Sequence, residues 1–360
     1  MPKNVKTTSS QAMTKSTPTK GSESFHADQI TLSTFQKLLK CYPAAVKHVH
    51  HHKLLRKFQP KKKGSRSAKN IDDADLIQEA DLSPSTQSDI QSGLIKFLKL
   101  DAWRYEEMPA LIATRRGTSK NDIMSKDELT SVMEWKTTHG HSRPMLMGMI
   151  KSNQDKLVQT CISAANTALP TADTEASEAF PQKSFDALQP LRGVGPATAS
   201  LILSIMTGSS GLALQVPFYS DEVYFWLALN DYPDMQPGTK RVKEDLKVKY
   251  NLNEYKELWS ASVELSQRLN LECKRVAEDG DGEVGISACG SVSQIDIEKV
   301  AYVLRNIEIS GYFDGQDTSV LPSGDTARAE KEEEHEEGIE NSRKRKGEDE
   351  NKQNTRKKRG

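Results

Sequence analysis

The sequence predicts an all-α body flanked by charged, low-complexity ends. Three observations carry this. Apolar residues through the middle of the chain recur at three- and four-residue spacing, strand signals are almost absent, and helix start and stop residues flank the periodic segments. No fixed-period repeat is present.

Each helix has its own justification. Ser125-Lys126-Asp127-Glu128 is a capping box, in which the serine hydroxyl and the glutamate three residues on satisfy the first unpaired amides. Leu129, Val132, Met133 and Lys136 follow at helical spacing, and Gly140 is the stop. Trp135 and Lys136 are expected on opposite faces of this helix, with Trp135 buried. The next helix opens near Ser142-Arg143-Pro144, runs through Leu146, Met149 and Ile150, and breaks near Asn153. A further one continues to about Ala168, and Pro170 ends it. Arg143, before its proline, is suited to a phosphate or a carboxylate. Helical patterns also cover Lys240 to Lys249, Glu254 to Leu271 and Ile295 to Ile307, with Leu258, Val263 and Leu265 as core positions of the second.

Composition sets the limits of the body. Of 360 residues 36% are apolar, and even with the 21 glycines added this falls a little short of the ~45–50% of ordinary globular domains. Part of the chain is therefore expected outside any core. No segment approaches the ~18 apolar residues of a membrane span, so no membrane partner is expected. Residues 1–26 form a basic Ser/Thr-rich tail, 27–313 the all-α domain with a basic loop at 59–70, and 314–360 an acidic and basic tail. Both tails are expected to be disordered, because such composition cannot offset chain entropy.

Formal charge is zero, from 50 Lys+Arg against 50 Asp+Glu, but the signs are segregated. The acidic run Glu330 to Glu340 precedes two basic clusters, Arg343-Lys344-Arg345-Lys346 and Arg356-Lys357-Lys358-Arg359. Their spacing resembles a bipartite nuclear import signal, which makes the nucleus the expected compartment and an import receptor an expected partner. The amino terminus lacks the apolar core of a secretory signal, in keeping with that address. Cys41, Cys161, Cys273 and Cys289 form no CxxC pair and are expected to be ordinary thiols, with no metal site. His48, His50, His51 and His52 are expected to be exposed basic decoration.

The stretch Ser184 to Leu203 is the most informative. A short helix over Ser184 to Gln189 leads into Leu191-Arg192-Gly193-Val194-Gly195, and a second begins at Pro196, giving a hairpin over 184–207. Gly193 and Gly195 permit positive φ and close backbone approach. Such a corner aims free amides and the positive end of a helix at one point, which suits a phosphate without reading base sequence. The plainer alternative is a packing corner.

LRGVGPATA is similar to the helix-hairpin-helix signature of the DNA glycosylase superfamily. Val216 to Leu227 resembles the segment where that superfamily places a catalytic aspartate at a helix start. Leu100 to Tyr105, and Met133 to Lys136 with Gly140, Arg143 and Pro144, look like its Amun-like eukaryotic branch. The resemblance covers roughly residues 90 to 310 and implies a two-lobed helical glycosylase-like fold in a nuclear DNA-binding protein. It further implies that Leu191, Arg192, Gly193, Val194, Gly195, Ala197 and Thr198 contact DNA. The implied activity is base excision; the alternative is a catalytically inactive module for binding DNA or protein.

Base excision passes through a cationic sugar, which a nearby carboxylate stabilises. Asp221, with Glu222 beside it, is the candidate, and Ser220 caps the helix they begin. The family pattern aligns Ser220 with the catalytic position, and both acids also suit an ordinary first helical turn. Tyr219 is the base-pocket candidate, whereas Val223, Trp226 and Leu227 share a core face. Strand-cleaving relatives carry a lysine where this chain has Ala197, so excision without strand cleavage is expected. Cys273 and Cys289 cannot alone hold the iron-sulfur cluster of some relatives, and no cofactor is expected.

Overall fold

A computed structural model of the chain describes residues 24–58, 79–118, 122–170, 180–234, 248–279 and 290–314, and among them every regular element is helical and no strand occurs. Residues 1–23, the basic loop 59–70, both import clusters and the acidic run lie outside the described residues. The elements are α1 (Leu32–Lys40), α2 (Tyr42–Phe58), α3 (Pro84–Ala102), α4 (Met108–Thr118), α5 (Lys126–His139), α6 (Pro144–Lys151), α7 (Asp155–Thr167), α8 (Gln182–Leu188), α9 (Pro196–Thr207), α10 (Asp221–Leu227), α11 (Leu252–Asp279) and α12 (Gln294–Arg305).

The start signals act as expected. Ser125 and Glu128 form the capping box of α5, and Gly140 is its C-cap. Proline opens α3, α6 and α9. A second capping box, Ser293 with Asp296, starts α12. The Lys240–Lys249 pattern lies mostly outside the described residues, and its described end is not helical: residues 248–250 form no regular element, with the Lys249 amide donating to the Glu254 carboxylate. A side-chain acceptor there replaces a helical one.

Every residue of α9 from Thr198 to Thr207 is buried, as a helix apolar on all sides requires. Helices α4, α8 and α11 pack around it, and α12 packs on α1, α2, α10 and α11. One contiguous apolar cluster runs from Phe25 to Tyr312. Leu258 and Leu265 are in it and Val263 packs at its edge.

A polar network crosses this core. Between α3 and α4 the backbone widens into a π-helical turn over Trp103–Glu107, closed by the Met108 amide on the Trp103 carbonyl. The turn sends both Arg104 and Tyr105 inward. Arg104, 1% exposed, pairs with Glu298 of α12 at 2.7 Å, and the Tyr105 hydroxyl donates to the same carboxylate at 2.8 Å. The guanidinium also lies over the Tyr105 and Trp135 rings, 4.0 and 4.7 Å from their centroids. Asp101, a turn earlier, accepts from Trp135 Nε1 at 2.8 Å and from the Tyr42 hydroxyl.

Two expectations are corrected. The histidines are not all exposed decoration: only His48 is, its Nδ1 lying 2.9 Å from the Ile309 carbonyl. His50 is buried and stacked on Phe97 at 3.9 Å, and His51 meets Glu79 at 2.7 Å. Helix α2 packs on α3, so whatever falls on its inner face is covered. The cysteines are not four thiols either. Cys41 and Cys161 are free, but Cys273 is disulfide-bonded. Among the described residues no His, Cys, Asp and Glu cluster could hold a metal ion, and no helix is long and apolar enough to cross a membrane.

Two predictions follow from this packing. Replacing Arg104 with Met strands the buried Glu298 charge and should cost ~3–5 kcal/mol in urea unfolding, with most of the loss recovered in the Arg104→Met/Glu298→Gln double variant. Burial pushes His50 down to about 4. The unfolded chain therefore binds the extra proton between about pH 6.5 and 4, and stability should fall with acidification across that window, by up to ~1.4 kcal/mol per pH unit from this group. His50→Phe should flatten the profile.

Candidate functional site

The corner between α8 and α9 is built as its sequence requires. The Val194 amide donates to the Leu191 carbonyl at 3.2 Å, closing a turn with Gly193 at φ +83°. A Cβ on Gly193 would stand 3.2 Å from Met149 Cβ and 3.3 Å from Leu146, so the glycine serves both the turn and the approach of α6. Gly195 is different. It has an extended φ of −101°, caps α9 without a side chain and faces open space. Of the two glycines that permit positive φ, Gly193 uses it.

Asn153, buried at the break between α6 and α7, clamps the corner: its Oδ1 accepts from the Arg192 amide at 2.9 Å and its Nδ2 donates to the Arg192 carbonyl at 3.0 Å. The seven hairpin residues divide by exposure. Arg192 and Gly195 are exposed, Gly193, Val194 and Ala197 half-buried, and Leu191 and Thr198 buried. The Leu191 side chain is committed to the core, and the Thr198 amide is taken by the Gly195 carbonyl at 2.9 Å. Thr198 nevertheless lines the cavity beside the corner.

A cavity of about 220 Å³ lies beside the corner. This is below the ~300–1,000 Å³ of most small-molecule sites and suits one small ring. Its lining includes Gly193, Gly195 and Ala197 of the corner, Asp221 and Glu222 of α10, and the polar side chains of Lys136, Arg143 and Tyr250. The predicted hairpin, both predicted carboxylates and Tyr219 are therefore brought together around one space.

The acids are held differently. Asp221 Oδ1 accepts from the Tyr250 hydroxyl at 2.8 Å. Arg143 in turn donates to that hydroxyl at 3.1 Å and lies 4.9 Å from the ring centroid. Capping of α10 is left to Ser220, whose Oγ accepts from the Val223 amide at 3.1 Å, so Asp221 faces the cavity. Burial, with Asp221 adding to it, pushes the Glu222 carboxyl above the ordinary range. Tyr219 is 1% exposed and its hydroxyl donates to Glu254 at 2.6 Å, which leaves only its ring to the cavity.

Lys136 overturns one expectation. It does not sit opposite Trp135: both line the cavity, and Lys136 Nζ donates to the Ala197 carbonyl at 2.6 Å, 5.1 Å from the Phe218 centroid. A lysine thus reaches by its side chain the hairpin position where the sequence has Ala197. Burial lowers the amine to about 7, Arg143 assisting and Asp221 opposing.

Sequence reasoning missed Tyr250 and Asn153. Tyr250 holds φ +54°, a conformation that costs a non-glycine residue ~1–3 kcal/mol, at the centre of the Arg143–Tyr250–Asp221 series. No local pattern marks it. Asn153 carried a signal as a helix-breaking residue, though none for its bond to Arg192, 39 positions away.

No family model, curated protein or solved structure matches the chain.

A pH titration of the lysine ε-resonances should show Lys136 with a midpoint of about 7. Removing Asp221 (Asp221→Asn) should move it lower, and removing the Arg143 charge (Arg143→Met) should move it higher. A midpoint in the ordinary lysine range would remove the amine from a desolvated setting.

Proposed function

We propose that this chain is a nuclear DNA-binding protein of glycosylase-like helical fold, which sets its hairpin on the duplex backbone and receives an extruded nucleotide in the adjoining cavity. One observation carries this: the hairpin corner and the Asp221 carboxylate line the same space. Gly195 faces open space at the start of α9; Pro196 has no amide and the Thr198 amide is taken by the Gly195 carbonyl, which leaves the Ala197 amide as the helix-start donor that a phosphate can approach.

The activity this arrangement supports is hydrolytic base excision. Extruding a nucleotide costs a few kcal/mol, which phosphate contacts on either side of the lesion offset. Asp221 then faces the cationic sugar that forms as the base departs, and its free oxygen orients the attacking water. The Trp135 and Phe218 rings on the cavity wall supply a desolvating surface. Transport to the nucleus would rest on Arg343-Lys344-Arg345-Lys346 and Arg356-Lys357-Lys358-Arg359, read by an import receptor.

A second reading, a DNA-binding module without catalysis, is favoured by two contacts. Asp221 already accepts a hydrogen bond from Tyr250, and Tyr219 is engaged by Glu254.

Single-turnover incubation with duplexes carrying uracil, alkylated or oxidised bases separates the two. Excision should slow by ~100- to 10,000-fold in Asp221→Asn; equal rates in both proteins would remove Asp221 as the catalyst, and no excision at all would favour the binding module. Because a side chain at Gly195 meets nothing within 4 Å, Gly195→Glu should leave the fold intact while abolishing salt-dependent duplex binding. Unchanged affinity would refute the phosphate role of the corner.

A further inference from the structure

Two lysines reach inward from α2 and α5, and they are held in contrasting ways. Lys53, from α2, donates to the carbonyls of Thr138, His139 and Gly140 at the carboxyl end of α5. All three hydrogens of its ammonium are used, as in a lysine with a structural role. Lys136 is half-buried and has one protein acceptor, the Ala197 carbonyl at 2.6 Å, with no carboxylate within ion-pair distance among the described residues.

That acceptor belongs to the residue whose amide is the free donor at the start of α9. The Ala197 carbonyl holds Lys136 while the Ala197 N–H awaits an anion. Charged and titratable groups face the amine from each neighbouring element. His141 and Arg143 come from the segment between α5 and α6, Asp221 and Glu222 from α10, and Glu298 from α12 at longer range. Arg143 opposes the ammonium and the Asp221 and Glu298 charges support it, but loss of water outweighs both acids and the amine sits at about 7. Burial holds His139 well below neutrality, and it pushes Tyr219 and Tyr250 up, the latter to about 12.

We propose that Lys136 is a second phosphate-binding group of the hairpin corner, fully charged only while an anionic strand is seated there, so that strand binding takes up a proton. The inference rests on the DNA-binding function proposed above. A phosphodiester on the Ala197 amide brings the negative charge that Lys136 lacks, beside the lysine's own anchor. Shared with the exposed Arg143, the same phosphate offsets the positive charge that opposes the ammonium. The ammonium keeps one hydrogen on the Ala197 carbonyl, and its flexible stem turns the others toward the anion. The proton comes from the buffer, and no covalent bond forms to the strand. By linkage, affinity should be level below about pH 7, where Lys136 is already charged, and fall by up to about tenfold per pH unit above it.

The test is calorimetric titration of the full chain with an undamaged duplex at about pH 8, where ordinary histidines are neutral. Buffers of different ionisation enthalpy count the protons taken up. Gly195→Glu, run in parallel, supplies the background from the charged tails. The corner-dependent difference should carry an uptake of about 0.5 to 1 proton in the wild type. Lys136→Arg, charged throughout, should show no uptake and an affinity independent of pH between about 7 and 9. Glu222→Gln and His141→Gln should keep the uptake. On duplex addition the Lys136 ε-resonance of the wild type should move its midpoint up by about one pH unit or more, which decides the matter even if Lys136→Arg folds poorly. Corner-dependent binding with no uptake and an unmoved midpoint overturns the proposal and leaves the phosphate role of the corner standing. Uptake that persists in Lys136→Arg and vanishes in Glu222→Gln or His141→Gln also overturns it, because the proton then belongs to another group. Equal duplex binding by the wild type and Gly195→Glu removes the phosphate role of the corner, and this proposal with it.

Discussion

The structure depends on a guanidinium placed where water cannot reach it. Arg104 is neutralised by Glu298, to which the Tyr105 hydroxyl also donates, and lies close to the Tyr105 and Trp135 rings, and these contacts reach α12, α5 and the π turn at once. A buried pair of this kind contributes less to net stability than its geometry suggests, since desolvation consumes much of the attraction. What it fixes is register. Glu298 can meet Arg104 in only one rotation of α12, and Trp135, stacked on the guanidinium and tied to Asp101, can take only one rotation of α5. The residue after Trp135 is Lys136, so a constraint in the core determines where the cavity's amine points.

The cavity combines elements that are far apart in sequence. Helix α5 supplies Lys136, the loop before α6 supplies Arg143, the corner before α9 supplies backbone, α10 supplies two acids and the segment before α11 supplies Tyr250. Opposite charges face one another across a small space with aromatic walls. Such an arrangement is costly unless each group is held, and the holding bonds are the Ala197 carbonyl for Lys136 and Tyr250 for Asp221. The unfavourable backbone of Tyr250 is part of the same construction.

The all-α class and most helix boundaries were legible because they are local. The α5 capping box, the prolines opening α6 and α9 and the glycine stop at Gly140 each act within a few residues. The hairpin was legible for the same reason, since a turn needing positive φ restricts residue type at one position. Long-range partnership was not legible. Nothing near Arg104 announces Glu298, 194 positions later, and nothing near Lys136 announces Ala197, 61 positions later. The exposure of residues with two plausible faces, such as His50 and Lys136, likewise depends on which neighbour arrives. The pairing of Asp221 with Tyr250 escaped because the residues before Tyr250 have a helical pattern while its own backbone is left-handed.

The pair of hydrogen bonds between Asn153 and Arg192 has a consequence for any ligand of the hairpin. An amide side chain that grips both the N–H and the C=O of one residue fixes the two peptide units that flank it before anything arrives. The corner is thereby a finished mould rather than a loop awaiting instruction, and the entropy of ordering it is spent during folding rather than at the encounter. Recognition there should be fast and shape-limited, tolerant of what the ligand is called and strict about whether its contour fits.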